Sequence, residues 1–287
     1  MFPMEPTVVE PATQVASCLL WIAPALRKFW SEDPEVAYDA WTRLAASDNY
    51  HQKQGRSTGR YLFAGPSMAP AVYIKKYFQV PWWQRWLVPL RKFPGPLEMD
   101  RLEQVRRLGI LVPEPAAAGA DRRHDCRSFL AVRELAGFVE LHKHLTWRFA
   151  GTGTPIDAAQ RRALSRRIAD IARRLHGARL YHRDFYLCHF LIREDPQAPD
   201  GFELALIDFL RLKRSARRRW QIKDLAQLLF STDIPGITRT DRLRFWKHYL
   251  GVERLDRAAR RQLRSILAKA NRYRRHNADG SRFTKFD

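Results

Sequence analysis

The stretch from Tyr181 to Leu210 constrains this chain most. YHRDFYLCHFLI and FELALIDFL are two apolar, aromatic-rich runs joined by REDPQAPDG, whose Asp, Pro and Gly residues favour turns. The pattern predicts a β-hairpin. Asp184 lies just ahead of the first apolar run, and Asp208 follows three hydrophobic residues at the end of the second. A single Asp at a strand end is ordinarily a turn residue. Here His182 and Arg183 precede the first Asp, and Phe209 follows the second. That combination predicts phosphoryl transfer, with Asp184 (in His182-Arg183-Asp184) orienting an acceptor hydroxyl and taking its proton, and Asp208 binding Mg²⁺.

The flanking sequence supplies the other elements. Residues 1–14 carry three prolines and no periodicity, and read as a loose tail. Residues 15–46 read as helical. GRSTGRYLFAG (55–65) and AVYIKKYF (71–78) read as a strand hairpin, and SFLAVREL (128–135) as a further strand. Glu98, Met99, Leu102, Val105 and Leu108 share one helical face, which stops near Gly109. In the second half, Leu164, Ile168, Ile171 and Leu175 form the stripe of a core-facing helix, with Gly177 placed to end it in the left-handed conformation. Three more helical stretches follow the hairpin. The expectation is an α+β, bilobal, protein-kinase-like fold in one domain over 15–287. Its small β-rich lobe spans about 47–136 and its larger helical lobe about 137–287.

Composition narrows the partners. A 45% hydrophobic content over 287 residues is globular, and the net charge of +21 calls for an anionic partner. Cys18, Cys126 and Cys188 form neither a disulfide framework nor a metal pair, so a reducing compartment is expected. VASCLLWIAPAL (15–26) is too short to span a bilayer, and no Lys or Arg precedes it as a signal peptide requires. The reading is a cytoplasmic protein, peripheral to a membrane or free of it.

Phosphotransfer also needs a cation on the nucleotide phosphates and an acid to hold it. VYIK (72–75) fits the strand motif that carries such a lysine; Lys76 is its neighbour, and alternation turns only one of the two inward, with the motif favouring Lys75. Glu98 and Glu103 are the candidate acids. Gly55 and Gly59 lie where a phosphate-covering turn belongs, although the full G-x-G-x-x-G is absent, and Arg56 and Arg60 add positive charge. Five residues after Asp184, where the kinase pattern has a metal-binding Asn, stands His189. An imidazole is a softer ligand than Mg²⁺ prefers, which leaves a one-metal site, a phosphate contact or an inactive centre open.

HRDFYLCHFLI, LIDFLR and KDLAQLL closely resemble the lipopolysaccharide kinase (Kdo/WaaP) family, above all its inner-core heptose kinases. The resemblance covers roughly residues 50 to 232. It makes His189 a family trait, and it implies transfer of the γ-phosphate of ATP to a sugar hydroxyl of the lipopolysaccharide core. It further implies Lys75 as the ATP lysine, Glu98 as its partner, Glu134 in the hinge of VREL, Asp184 as base, Asp208 with His189 as metal ligands, and Asp224 as the helix residue bracing the catalytic loop. Phe209–Leu210 depart from the family's Leu–His, and Leu210 from the Gly of D-F-G. The implied partners are core oligosaccharide on lipid A and an acidic protein such as acyl carrier protein, with no nucleic acid. Trp82, Trp83 and Trp86, with Arg85, Arg91 and Lys92, suit an anionic inner-membrane surface as well as they suit a protein core. Kdo, another glycan or a protein hydroxyl stay open as acceptors. A non-catalytic basic binding module, supported by runs such as Lys213–Arg219, is the reading from a different class.

Overall fold

The computed structural model describes residues 13–14, 17–53, 55–62, 71–80, 82, 87–151 and 156–278. The chain forms two compact units, Met1–Arg107 with Val112–Ala136 and Leu108–Leu111 with Gly137–Asp287.

The first unit is built on an antiparallel sheet of seven strands. They are β1 (Thr13–Gln14), β2 (Cys18–Ile22), β3 (Asp48–Lys53), β4 (Arg56–Tyr61), β5 (Val72–Tyr77), β6 (Pro115–Asp121) and β7 (Ser128–Arg133), in the order β1-β2-β6-β7-β5-β4-β3. The helical reading of residues 15–46 is corrected at its start: Cys18–Ile22 is a strand, with all five residues buried. A short continuous apolar run does not reveal its own period, and here pairing with β6 decides it. The rest of that stretch is helical, as α1 (Pro24–Arg27) and α2 (Pro34–Arg43).

Two helices cover this sheet, one resting over a glycine of the sheet and the other approaching it through a glycine of its own. Tyr38 and Trp41 of α2 lie against Phe129 at 5.4 and 5.9 Å between ring centroids. Tyr38 fits because Gly119 lies beneath it: a Cβ there would come within 2.8 Å of the ring. On α3 (Pro94–Arg106), a Cβ on Gly95 would sit 2.1 Å from the Phe129 carbonyl oxygen, so that helix touches backbone directly.

The second unit is mostly helical: α4 (Leu141–Phe149), α5 (Ala158–Gly177), α6 (Arg219–Ser231), α7 (Arg239–Leu250) and α8 (Arg257–Ala278). Reciprocal side-chain caps start α5 (Asp157 with Gln160) and α7 (Thr238 with Asp241). The predicted hairpin is present as β10 (Phe190–Glu194) against β11 (Phe202–Leu206), with β8 (Val139–Glu140) on the other side of β10. A further pair joins β9 (Leu180–Tyr181) to β12 (Lys213–Arg214). Gly177 does not take the expected left-handed conformation. Ala178 still donates to the Arg174 carbonyl, so the helix is capped first, and Arg179 makes the turn at φ 56°.

Candidate phosphotransfer site

The candidate residues fall in both units. In the first, β5 alternation separates the two lysines. Lys75 Nζ donates to Glu98 Oε1 at 2.6 Å, and the Tyr77 hydroxyl donates to Glu98 Oε2 at 2.9 Å. Glu98 is only 2% exposed, so these partners offset the cost of burying its charge. Lys76 points to the opposite face and donates to the Thr42 and Leu44 carbonyls at 2.7 and 2.8 Å. Burial lowers its pKa. Glu103, the other candidate acid, pairs with Arg106 one helical turn on.

The glycine-bearing segment is a strand with a turn at one end. Gly55 turns the chain between β3 and β4 at φ 80°, while Gly59 lies inside β4 opposite Ile74. The Arg60 guanidinium binds the Glu134 carboxylate through two hydrogen bonds of 2.8 Å, so both charges are paired locally. Arg56 lies over the Tyr77 ring.

In the second unit, the loop from His182 to His189 is held by one face of α6. Asp224, fully buried, accepts from the backbone N–H groups of His182 and Arg183, each at 2.8 Å. Gln227 accepts from Phe185 N at 3.2 Å and donates to the Arg183 carbonyl at 3.2 Å, and Ser231 Oγ accepts from Leu187 N at 3.0 Å. Lys223 also donates to the Arg183 carbonyl. The spacing 224, 227, 231 is a helical 3 and 4, which lines the three acceptors along one stripe. These bonds fix a strained turn, because Arg183 is left-handed at φ 68°.

That turn presents the reactive groups. The Asp184 carboxylate receives Arg211 Nη1 at 3.1 and 3.2 Å. His189 Nδ1 lies 2.6 Å from the Asp184 carbonyl, to which it donates, leaving Nε2 as the lone-pair nitrogen of the neutral ring. Nε2 lies 3.7 Å from Asp208 Oδ2. Two acceptors facing each other at that spacing fit a shared cation. Among the described residues no cluster of three or more His, Cys, Asp or Glu side chains forms a metal cage. The Asp208 carboxylate is a hard oxygen ligand that suits Mg²⁺ completed by phosphates and water, while the His189 nitrogen is the softer member of the pair. Asp208 is also left-handed, at φ 66°, a conformation Asp tolerates better than most residues.

His182 packs edge-on to Phe209 at 5.6 Å and donates through Nε2 to the Ile207 carbonyl at 3.0 Å. Its Nδ1 is buried with no partner among the described residues, and burial, with His189 nearby, lowers its pKa. Folding thus excludes a proton that the unfolded imidazole accepts near its ordinary value of 6.5. Burial acts on His144 in the same direction. The sign follows: below pH 6.5 the unfolded state binds more protons, so stability falls as pH drops through that value. Thermal melts between pH 7.5 and 5.5 should show a falling Tm, with a shallower slope in His182→Gln than in wild type. Cys188 has its thiol pushed up to about 12, by burial first and then Glu140, so it is a neutral side chain rather than a reactive thiolate.

Of the residues singled out from the sequence, the structure joins Lys75 to Glu98 in the first unit and gathers Asp184, His189, Asp208 and Asp224 in the second; the sequence reading passed over Arg211, Gln227 and Ser231. The signal for the last two was present as polar residues at spacing 3 and 4 on the otherwise apolar helix KDLAQLLFS. Arg211 carries no such signal in a chain with 51 Lys and Arg residues.

The profile of the lipopolysaccharide kinase (Kdo/WaaP) family matches residues 40–249. The chain belongs to that family. It is 34% identical over 176 residues to the lipopolysaccharide core heptose(I) kinase WaaP of Pseudomonas aeruginosa, covering 59% of this chain and 61% of the relative. It is 34% identical over 129 residues to the Escherichia coli K12 protein of the same description, covering 44% and 47%. The chain thus matches less than two thirds of the length of these relatives. Among solved structures, WaaP in complex with acyl carrier protein superposes with a TM-score of 0.68 at 27% identity, over 88% of this chain and 97% of that one. The α+β, protein-kinase-like fold read from the sequence is the fold of this family member.

Proposed function

We propose that this chain is an ATP-dependent kinase that phosphorylates a heptose hydroxyl of the lipopolysaccharide inner core. One observation carries the reading: Asp184, His189 and Asp208 are assembled in a single unit by a strained loop that α6 holds in place. The roles then follow from chemistry. Lys75, kept in place by Glu98, binds nucleotide phosphates. Asp184 orients the acceptor hydroxyl and takes its proton late in transfer, with Arg211 fixing the carboxylate. Asp208 and His189 would hold Mg²⁺, which when bound neutralises phosphate charge. Gly55 and Gly59, in the turn and strand paired with the strand of Lys75, would cover the phosphates, and Glu134 is held by Arg60.

Two partners have support of their own. The solved relative is described with acyl carrier protein, and the net charge of +21 here suits an acidic protein. The second unit also encloses an apolar cavity of about 110 Å³ lined by Leu145, Phe149, Leu164, Ile168, Leu228 and Phe245, which suits an acyl chain. An anionic membrane surface is the second partner. Trp82 and Leu87 are 77% and 75% exposed, and Arg91 and Lys92 beside them are exposed too. Trp83, Arg85 and Trp86 lie outside the described residues. No helix among the described residues is long and apolar enough to cross a membrane.

The test is transfer of label from γ-labelled ATP to core oligosaccharide lacking its phosphates, with Mg²⁺ present. Wild type is expected to label the sugar. Lys75→Met is expected to lower kcat/KM for ATP by roughly 10²-fold or more, the size of losing one charged contact to the transferring group. Absence of label with wild type, alongside normal ATP binding, would direct the search to Kdo or a protein hydroxyl.

A further inference from the structure

The segment KDLA at the start of α6 carries two charged residues, and Asp224 is only one of them. Lys223, half-buried beside it, donates its ammonium to the Arg183 carbonyl oxygen. That oxygen belongs to the peptide bond leading into Asp184. The N–H of the same Arg183 is held by Asp224 at 2.8 Å. So α6 grips Arg183 by both of its backbone polar groups, with a carboxylate on the donor and an ammonium on the acceptor. Between the two grips the backbone stays at φ 68°, a conformation in which a residue with a Cβ persists only under constraint.

Asp184 is therefore fixed from three sides. Arg211 holds its carboxylate, His189 Nδ1 donates to its carbonyl at 2.6 Å, and Lys223 holds the carbonyl before it. The need for a hydrogen-bond donor does not account for a lysine at this place. Gln227 Nε2 already donates to the same Arg183 oxygen at 3.2 Å, so the acceptor has a neutral partner from the same helix. What Lys223 adds is charge, and a charge-assisted bond is roughly twice as strong as a neutral one. Several groups bear on that charge. Burial, and then Arg211, lower the pKa of Lys223; Asp184 and Asp224 oppose them, and Arg183 adds to them. Tyr273 of α8 also lies within the field of Asp224, Asp184 and Arg211, and burial raises its pKa above the ordinary tyrosine value.

We propose that Lys223 is a positioning residue for phosphate transfer: its positive charge holds the Arg183–Asp184 peptide in the strained turn and so aims the Asp184 carboxylate. The inference deepens the kinase reading and rests on it. Lys223 acts through the backbone, as the counterpart of Asp224 on the other side of one peptide unit. Loss of its proton leaves a neutral amine, whose weaker bond no longer opposes the strain at Arg183, and the carboxylate leaves its line to the acceptor hydroxyl.

The experiment compares Lys223→Arg, Lys223→Gln and Lys223→Met with wild type in the full chain. Arginine keeps the charge, glutamine keeps only a donor, and methionine keeps neither. Two readouts are taken: single-turnover transfer from labelled ATP to core oligosaccharide lacking its phosphates, and amide hydrogen exchange of the loop from His182 to His189. Lys223→Gln and Lys223→Met are expected to slow transfer by on the order of 10²-fold, the cost of about 1 Å of misplacement, with KM for ATP unchanged. Their loop amides are expected to exchange roughly tenfold faster, with the global unfolding midpoint near that of wild type. Lys223→Arg is expected to stay close to wild type in both readouts. As pH rises toward 10.5, the ordinary lysine value, wild-type transfer is expected to fall, and in Lys223→Arg the fall moves to higher pH because a guanidinium keeps its proton. Wild-type behaviour in Lys223→Gln, a loss in Lys223→Arg as large as in Lys223→Met, or the same alkaline fall in wild type and Lys223→Arg overturns the proposal. Loop exchange that follows the charge at this position, in a wild type that transfers no phosphate, would instead overturn the kinase reading and leave Lys223 as the brace of the turn.

Discussion

Asp184→Asn is expected to lower the rate of phosphate transfer by roughly 10²–10⁴-fold, the range for loss of a positioned general base, while ATP affinity stays near wild type. The substitution keeps the shape of the side chain and one acceptor oxygen. It removes the charge that takes the proton and that holds Arg211 at 3.1 Å. Single-turnover transfer from labelled ATP, read beside equilibrium ATP binding, separates the two effects. A loss in kcat with little change in KM for ATP is the signature of a group acting on the reacting hydroxyl. A variant retaining more than a tenth of the wild-type rate would remove Asp184 from the role of base. Arg211→Lys should fall between, since a lysine keeps the charge without the planar contact to both oxygens.

Asp224→Ala carries the largest expected effect on stability, about 3–5 kcal/mol. The carboxylate is fully buried and accepts from two backbone N–H groups, while His176 Nε2 lies 3.3 Å away. Truncation leaves both N–H groups buried without an acceptor, in a turn whose left-handed Arg183 already stores strain. Denaturant unfolding should show the loss as a lower midpoint. Asp224→Asn is expected to cost less than Asp224→Ala, because the amide oxygen can still accept one of the two bonds. If alanine and wild type unfold together, the loop is held by other contacts. Activity should fall alongside stability, because the same two bonds aim Asp184.

Much of this arrangement was legible in the sequence because the relevant signals are local. The 182–210 segment spells out loop, strand, turn and strand in consecutive residues. The VYIK motif singled out Lys75, while Glu98 and Glu103 both stayed open as its acid until the family resemblance favoured Glu98, to which Lys75 donates at 2.6 Å. The β2 strand did not read correctly, since CLLWI is apolar throughout and only its pairing with β6 separates a buried strand from a helix. The strand β6 gave no signal either: PAAAGAD is rich in Ala and Gly, which favour strands poorly, and it is recruited because small residues let α2 approach the sheet. Arg211 escaped for a different reason. Its partner lies 27 residues away, across a turn whose geometry no periodicity encodes.

The neighbouring lysines of β5 have a consequence for how that strand finds its place. Lys75 and Lys76 occupy opposite faces, one on a carboxylate and one on two carbonyl oxygens. A slip of one residue that brought Lys76 to the carboxylate would bring Tyr77 to the carbonyl oxygens, so the carboxylate alone cannot distinguish correct alignment from this error, whereas the carbonyl pair can. The uncharged positions discriminate as well. Val72 and Ile74 are fully buried, and a slip would exchange them with the half-exposed Tyr73 and the charged Lys75. The alignment of the strand carrying Lys75 is thus set by Lys76 and two aliphatic side chains, none of which belongs to the proposed site.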